Sequence, residues 1–160
     1  MSTRGFTTCL WFDGRAQEAA DFYLSVFKDG SRGQTLHYTD AGPGPAGSVL
    51  TVEFEVNGQK FMALNGGPQF TFNEAVSFVI ETDDQAETDH YWSRLTENGG
   101  EEGHCGWLKD RFGVSWQVAP KEVTELIADE DGAKATRATK ALYTMKRIDI
   151  AAVREAHAGE

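Results

Sequence analysis

The first apolar run, FTTCLWF over residues 6–12, is β-prone, and after it the spacing of apolar residues changes. Ala16, Ala19, Ala20, Tyr23, Val26 and Phe27 recur at helical intervals, which predicts a helix with Asp13 as its cap and Gly30 as its stop. Three strand-like segments follow, GQTLHYT, SVLTVEFEV and QKFMALN. Asn57-Gly58 between the last two is a two-residue hairpin signal that pairs Val56 with Gln59, Phe54 with Phe61, Val52 with Ala63 and Leu50 with Asn65.

The same order returns in the second half. AVSFVIE predicts a strand, TDDQ opens a helix that closes at Asn98-Gly99, and GEEGHC, GWLKD and VSWQVA supply three more short strands. Setting QEAADFYLS beside QAETDHYWS aligns Gln17 with Gln85, Asp21 with Asp89, Tyr23 with Tyr91 and Ser25 with Ser93 at one constant separation. With matching elements around them, these identities read as an internal duplication of a βαβββ module. The predicted class is α+β, with modules at about residues 1–68 and 69–120 forming a curved mixed sheet around a cavity. Beyond Pro120 the pattern turns helical: KEVTELIA, ATKALYTMK and DIAAVREAHA form an extension over 121–160, with Asp149 capping the last helix. Its apolar stripes predict packing on the body or on a partner subunit.

Composition narrows the choice of partner. The chain has 160 residues and a formal net charge of −10, with no cluster of Lys and Arg, so neither nucleic acid nor an anionic membrane is an expected partner. No run reaches the roughly 18 apolar residues of a membrane span, and the N-terminus lacks a secretory pattern, so a cytoplasmic location is expected. Cys9 and Cys105 make neither a disulfide framework nor a zinc knuckle. GPGPAG, residues 42–47, matches a phosphate-loop spelling, but it runs into a strand and its prolines remove backbone donors, so it is a loop.

Three segments, LWFDGRAQEAADFY, ALNGGPQFTFNEAVSFVIE and CGWLKDRFGVSWQVAP, together with the duplicated modules, resemble the vicinal oxygen chelate superfamily. That superfamily includes glyoxalase I, extradiol dioxygenases and bleomycin-resistance proteins. The stronger resemblance is to the PhnB-like branch, whose members often carry a demethylubiquinone methyltransferase label. The resemblance implies a homodimer and, in metal-dependent relatives, His, Gln or Glu ligands on the first and last strands of each module. Carried over, those positions are Thr8, Ala63, Ser77 (Val76 if the register slips by one) and Gln117. This set offers no negative charge, so no metal and no cofactor are expected. The methyltransferase label also lacks the strand, glycine-rich turn and helix that would hold S-adenosylmethionine.

Within DRFGVSWQVAP, residues 110–120, Val114, Trp116 and Val118 alternate with Ser115 and Gln117. One face of this strand is apolar, and the other presents two uncharged polar groups. Gln117 either bonds an organic ligand or satisfies backbone groups inside a polar cavity. Phe12, Phe54, Phe61 and Trp107 either wall a pocket or fill the core, and Asn65 closes the first module where it could reach the cavity. The candidate ligand-binding set is therefore Thr8, Phe12, Phe54, Phe61, Asn65, Ser77, Trp107 and Gln117. Cys105 is either a nucleophile or a small residue packed beside Trp107. Two functions remain open: a binder of a small organic molecule, or a metal- or cysteine-dependent enzyme.

Overall fold

A computed structural model describes residues 5–159 and divides the chain into two compact units, the first ending at Phe72 and the second beginning at Asn73. The first unit runs β1 (Thr8–Phe12), α1 (Ala16–Val26), β2 (Gly30–His37), β3 (Val49–Val56) and β4 (Gln59–Asn65). The second runs β5 (Ser77–Thr82), α2 (Gln85–Thr96), β6 (Glu101–Glu102), β7 (Trp107–Lys109) and β8 (Ser115–Pro120). It then continues into α3 (Lys121–Ile127), α4 (Gly132–Leu142) and α5 (Ile150–Ala158). The fold is α+β. Each unit carries a four-stranded mixed sheet of one topology, β1-β4-β3-β2 and β5-β8-β7-β6, in which the outer strand before the helix lies parallel to the last strand. This shared strand order is the duplication seen in the sequence.

The β3–β4 hairpin turns at Asn57 (φ 48°) and Gly58 (φ 74°), and its ladder runs from Val56 opposite Gln59 to Thr51 opposite Leu64. Pairing stops one step before Leu50 and Asn65, because the Asn65 carboxamide instead donates Nδ2 to the Val49 carbonyl (3.0 Å). Val52, Phe54, Val56, Phe61 and Ala63 are buried, with Tyr23 of α1 stacked on Phe54 and Phe54 stacked on Phe61. Glu53, Glu55, Lys60 and Met62 lie on the opposite face, as period-two alternation requires.

Both expected ends of α1 are corrected. Its N-cap is Arg15, which makes no side-chain cap; Asp13 stands too far upstream, and the Ala16 amide donates instead to Asn65 Oδ1 (2.9 Å). The helix ends at Val26 with Phe27 extended, while Gly30 opens β2 in a place where a Cβ would press on Leu24 (3.0 Å) and Val56 (3.3 Å). Helix α2 follows expectation: Asp84 accepts the Glu87 amide (2.8 Å) and Glu87 returns a carboxylate oxygen to the Asp83 amide (2.8 Å).

The helical extension belongs to the second unit. Helix α4 starts at Gly132, six residues earlier than the apolar pattern indicates, because Asp131 accepts the Ala133 (3.0 Å) and Lys134 (3.3 Å) amides and nucleates it there. Asp149 caps α5, accepting the Ala152 amide at 3.1 Å. Val123, Ala138, Leu142, Ile148, Ile150 and Val153 form a buried cluster, with Cys105 packed against it from the body. Main-chain bonds fasten this core: the Cys105 amide donates to Met145 O and the Gly106 amide to Lys146 O, both at 2.8 Å. Gln85 holds the same segment with Nε2 donating to Ile148 O (3.0 Å) and Oε1 accepting from the Ile150 amide (2.9 Å). Arg154 pairs with Glu122 and holds that carboxyl below its usual range. Among the described residues no helix is long and apolar enough to cross a membrane.

Candidate functional site

The turn that positions the site is built by one carboxylate. Asp110 is 2% exposed; its Oδ1 accepts the Phe112 (2.9 Å) and Val114 (3.1 Å) amides, and its Oδ2 accepts Trp116 Nε1 (2.9 Å). Gly113 completes the turn at φ 87°, its amide donating to Asp110 O (2.9 Å). Asp110 thereby fixes both the entry of β8 and the ring of Trp116, which packs with Phe78. Sequence reading placed the turn but missed this residue. Its signal was Asp at the first turn position with Gly at the fourth.

Strand alternation then sorts the side chains. Trp116 and Val118 are buried with Leu108, Ile80 and Thr82. Ser115 and Gln117 lie on the opposite face, where the ladder sets Ser115 beside Ser77 and Lys109, and Gln117 beside Trp107 and Val79. Gln117 Nε2 donates to Ser77 Oγ at 2.9 Å. Trp107 is half-buried, and Val79 is 61% exposed. Lys109 Nζ pairs with Glu74; this contact holds the Glu74 carboxyl below its usual range and raises the Lys109 ammonium. A cleft of about 220 Å³ adjoins this face, lined by Glu74, Glu101, Glu102, Trp107, Lys109 and Ser115 among others. Three of the sequence-predicted residues, Ser77, Trp107 and Gln117, thus come together on one surface.

In the first unit the candidates sit elsewhere. Phe12, Phe54 and Phe61 are each 4% exposed, and Phe54 and Phe61 also border a cleft of about 280 Å³ with Thr7, Glu53 and Lys60. Phe12 meets Phe72 edge-on at 5.4 Å. Thr8 is the ladder neighbour of Phe61 and shares its face, as Leu10 does with Ala63. Cys9 and Met62 therefore occupy the positions on the face away from the core. The Cys9 thiol is pushed up by partial burial.

Asn65 lines a cleft of about 580 Å³ with Asp13, Gln17, Tyr38, Ser48 and Gln69. Its own polar atoms are spent within the fold: Oδ1 on Ala16, Nδ2 on Val49 and its carbonyl on the Tyr38 hydroxyl (2.6 Å). The 42–47 loop wraps Tyr38, with the ideal Cβ of Gly44 only 2.5 Å from the ring. Gly66 leaves equally little room over Trp11, at 2.3 Å, and Trp11 Nε1 donates to Gly67 O (2.8 Å).

Cys105 has φ 54° and packs toward the helical extension. His104 beside it is exposed, His37 lies on β2, His90 on α2, and His157 pairs with Asp129 at 2.7 Å. Among the described residues, no three His, Cys, Asp or Glu side chains converge as a metal site would require.

Duplicated βαβββ units with this strand order define the vicinal oxygen chelate class of proteins. Within it, the chain belongs to the family described as 3-demethylubiquinone-9 3-methyltransferase, whose sequence profile matches residues 4–119. Among solved structures, the chain is similar to the PhnB protein of Bacillus cereus, at 32% identity over 73% of this chain and 99% of that one, with a TM-score of 0.66. Protein PA1353 of Pseudomonas aeruginosa matches at 24% identity over 74% and 98% of the two chains, TM-score 0.60. The fosfomycin resistance protein FosX of Mesorhizobium loti shares the fold at 15% identity over 81% and 100%, TM-score 0.55. No curated protein matches the sequence.

Proposed function

We propose that this chain binds a small organic molecule against the β7–β8 face of the second unit, with Gln117 and Ser77 orienting it and Trp107 as the apolar wall. The observation that carries this reading is the Gln117–Ser77 bond (2.9 Å) set beside a half-buried indole. Only one donor of the carboxamide is used there, and among the described residues nothing takes its Oε1. An apolar wall with a few directed, uncharged polar groups suits a small ligand.

The metal that many relatives use does not fit this donor set. Ser77 and Gln117 are neutral, and Cys9 and Met62 offer sulfur at the corresponding ladder positions of the first unit, whereas hard octahedral cations need anionic oxygens or imidazoles. S-adenosylmethionine does not fit either. Each sheet is mixed, and one N-terminal amide of each helix is already taken, that of Ala16 by Asn65 at α1 and that of Glu87 by Asp84 at α2.

The test is mass spectrometry of the small molecule that copurifies, with metal analysis of the same sample prepared without chelator. Gln117→Ala is expected to weaken retention of that molecule by about 1–3 kcal/mol, the cost of an unmet buried polar partner, while leaving the fold intact. Stoichiometric Mn²⁺, Fe²⁺, Ni²⁺ or Zn²⁺, lost on Gln117→Ala, would replace this reading with a metal-dependent enzyme. The reading includes a homodimer. Its support is the edge position of β1, β2, β5 and β6 and the exposed Val76, just before β5, and Val79 within it. Sedimentation at micromolar concentration is expected to give twice the chain mass; a single-chain mass removes the dimer.

A further inference from the structure

One hydroxyl on this face is unexplained by the fold. Ser115 is 2% exposed, yet its Oγ has no hydrogen-bond partner. A buried hydroxyl left unmet costs stability, and a valine or alanine here would satisfy the strand at no such cost. The same residue lines the 220 Å³ cleft, where Glu74 and Glu101 stand against the ammonium of Lys109, while Glu102 accepts Trp92 Nε1 (2.9 Å) and lies 3.9 Å from Lys146 Nζ. Lys109 is directly opposite Ser115 in the ladder, and its Nζ is held by Glu74. That ion pair is open to solvent, with the Glu74 side chain 60% exposed, so another ammonium can compete for the carboxylate.

We propose that the cleft takes a small organic ammonium compound with an aromatic or apolar body, and that Ser115 is the hydroxyl that recognises it. The ligand's ammonium replaces that of Lys109 at Glu74, which swings the lysine stem away from Ser115 and lets the ligand N–H donate to Ser115 Oγ. The body lies on Trp107, whose ring face favours a cation. Glu101 keeps the rim negative and disfavours anions there. Nothing covalent changes: one charge-assisted bond is exchanged for another, and an unmet hydroxyl is met. The inference rests on the ligand-binding reading above and specifies the charge of the ligand.

Three probes that share a phenyl ring separate the outcomes when titrated into the full-length protein with the Trp107 indole N–H followed by NMR: benzylammonium, benzyl alcohol and benzenesulfonate. Benzylammonium is expected to bind at least tenfold more tightly than the other two, and Glu74→Gln to abolish that preference. Ser115→Ala is expected to weaken benzylammonium about five- to tenfold while leaving the melting temperature unchanged or raised, since it removes an unmet polar group. Equal binding of benzyl alcohol overturns the ammonium specificity and leaves the binding face standing. Failure of all three to shift Trp107 overturns both. A Ser115→Ala protein that melts lower but binds benzylammonium as before makes Ser115 structural and ends its recognition role.

Discussion

Asp110→Ala is expected to destabilise the second unit by about 3–5 kcal/mol, because it deletes a buried carboxylate and strands the donors that converge on it. The Phe112 and Val114 amides and Trp116 Nε1 all lose their acceptor. Asp110, Val114 and Trp116 are each 2–3% exposed, so bulk solvent is not at hand to replace the carboxylate. Asp110→Asn should fall between the two. It keeps an acceptor for the two amides but turns an NH₂ group toward the indole N–H, so one donor faces another. Urea unfolding read by tryptophan fluorescence measures both changes. A loss below 1 kcal/mol for Asp110→Ala would show that the turn holds without its carboxylate. Because β8 starts at this turn, the substitution should also displace Ser115 and Gln117 and weaken ligand binding without touching the ligand.

The sequence carried the module and its repeat in local signals. Asn57-Gly58 fixed a register that six consecutive pairs of the β3–β4 ladder follow, and Asp84 with Glu87 marked the start of α2 three residues apart. What stayed hidden depends on partners far away in the chain. The α1 amide is capped by Asn65, 49 residues downstream of Ala16, and no window of sequence around α1 contains that information. The same holds for Gln85, which stands in the TDDQ opening of α2 and clamps Ile148 and Ile150.

The candidate site was half legible for a different reason. Alternation separates a strand into two faces but does not say which one meets the helix, and β4 is apolar on both: Phe61 and Ala63 on one, Met62 and Leu64 on the other. In β8 the two faces differ chemically, with Trp116 and Val118 against Ser115 and Gln117, so the polar face could be read directly. Phe12, Phe54 and Phe61 fell among the candidates because aromatic residues suit a pocket wall and a core equally well. Burial places all three against neighbouring side chains, Phe54 on Tyr23 and Phe61, and Phe12 on Phe72, while Phe54 and Phe61 also border a cleft.

Removal of residues 121–160 is expected to leave a folded body that is less stable by about 2–4 kcal/mol, a fall in melting temperature of roughly 5–15 °C. Folding should persist because the family profile ends at residue 119, and the Bacillus cereus relative aligns over 99% of its own length to 73% of this chain. The extension also closes most of its apolar cluster within α3, α4 and α5, with Cys105 packed against it from the body, so little core is lost from the sheet. The cost lies at the fastening. Cys105 and Gly106 lose the Met145 and Lys146 carbonyls, Gln85 loses both main-chain partners, and Gly106 loses Ile148, whose Cδ1 lies 3.0 Å from the ideal Cβ position. The Cys105 and Gly106 contacts sit immediately before Trp107, so hydrogen exchange should accelerate most at Cys105–Lys109. An unchanged melting temperature together with unchanged exchange at Gly106 would show that the extension is a passenger. A body that fails to fold at all would show instead that α3, which leaves β8 directly at Pro120, is part of the module core.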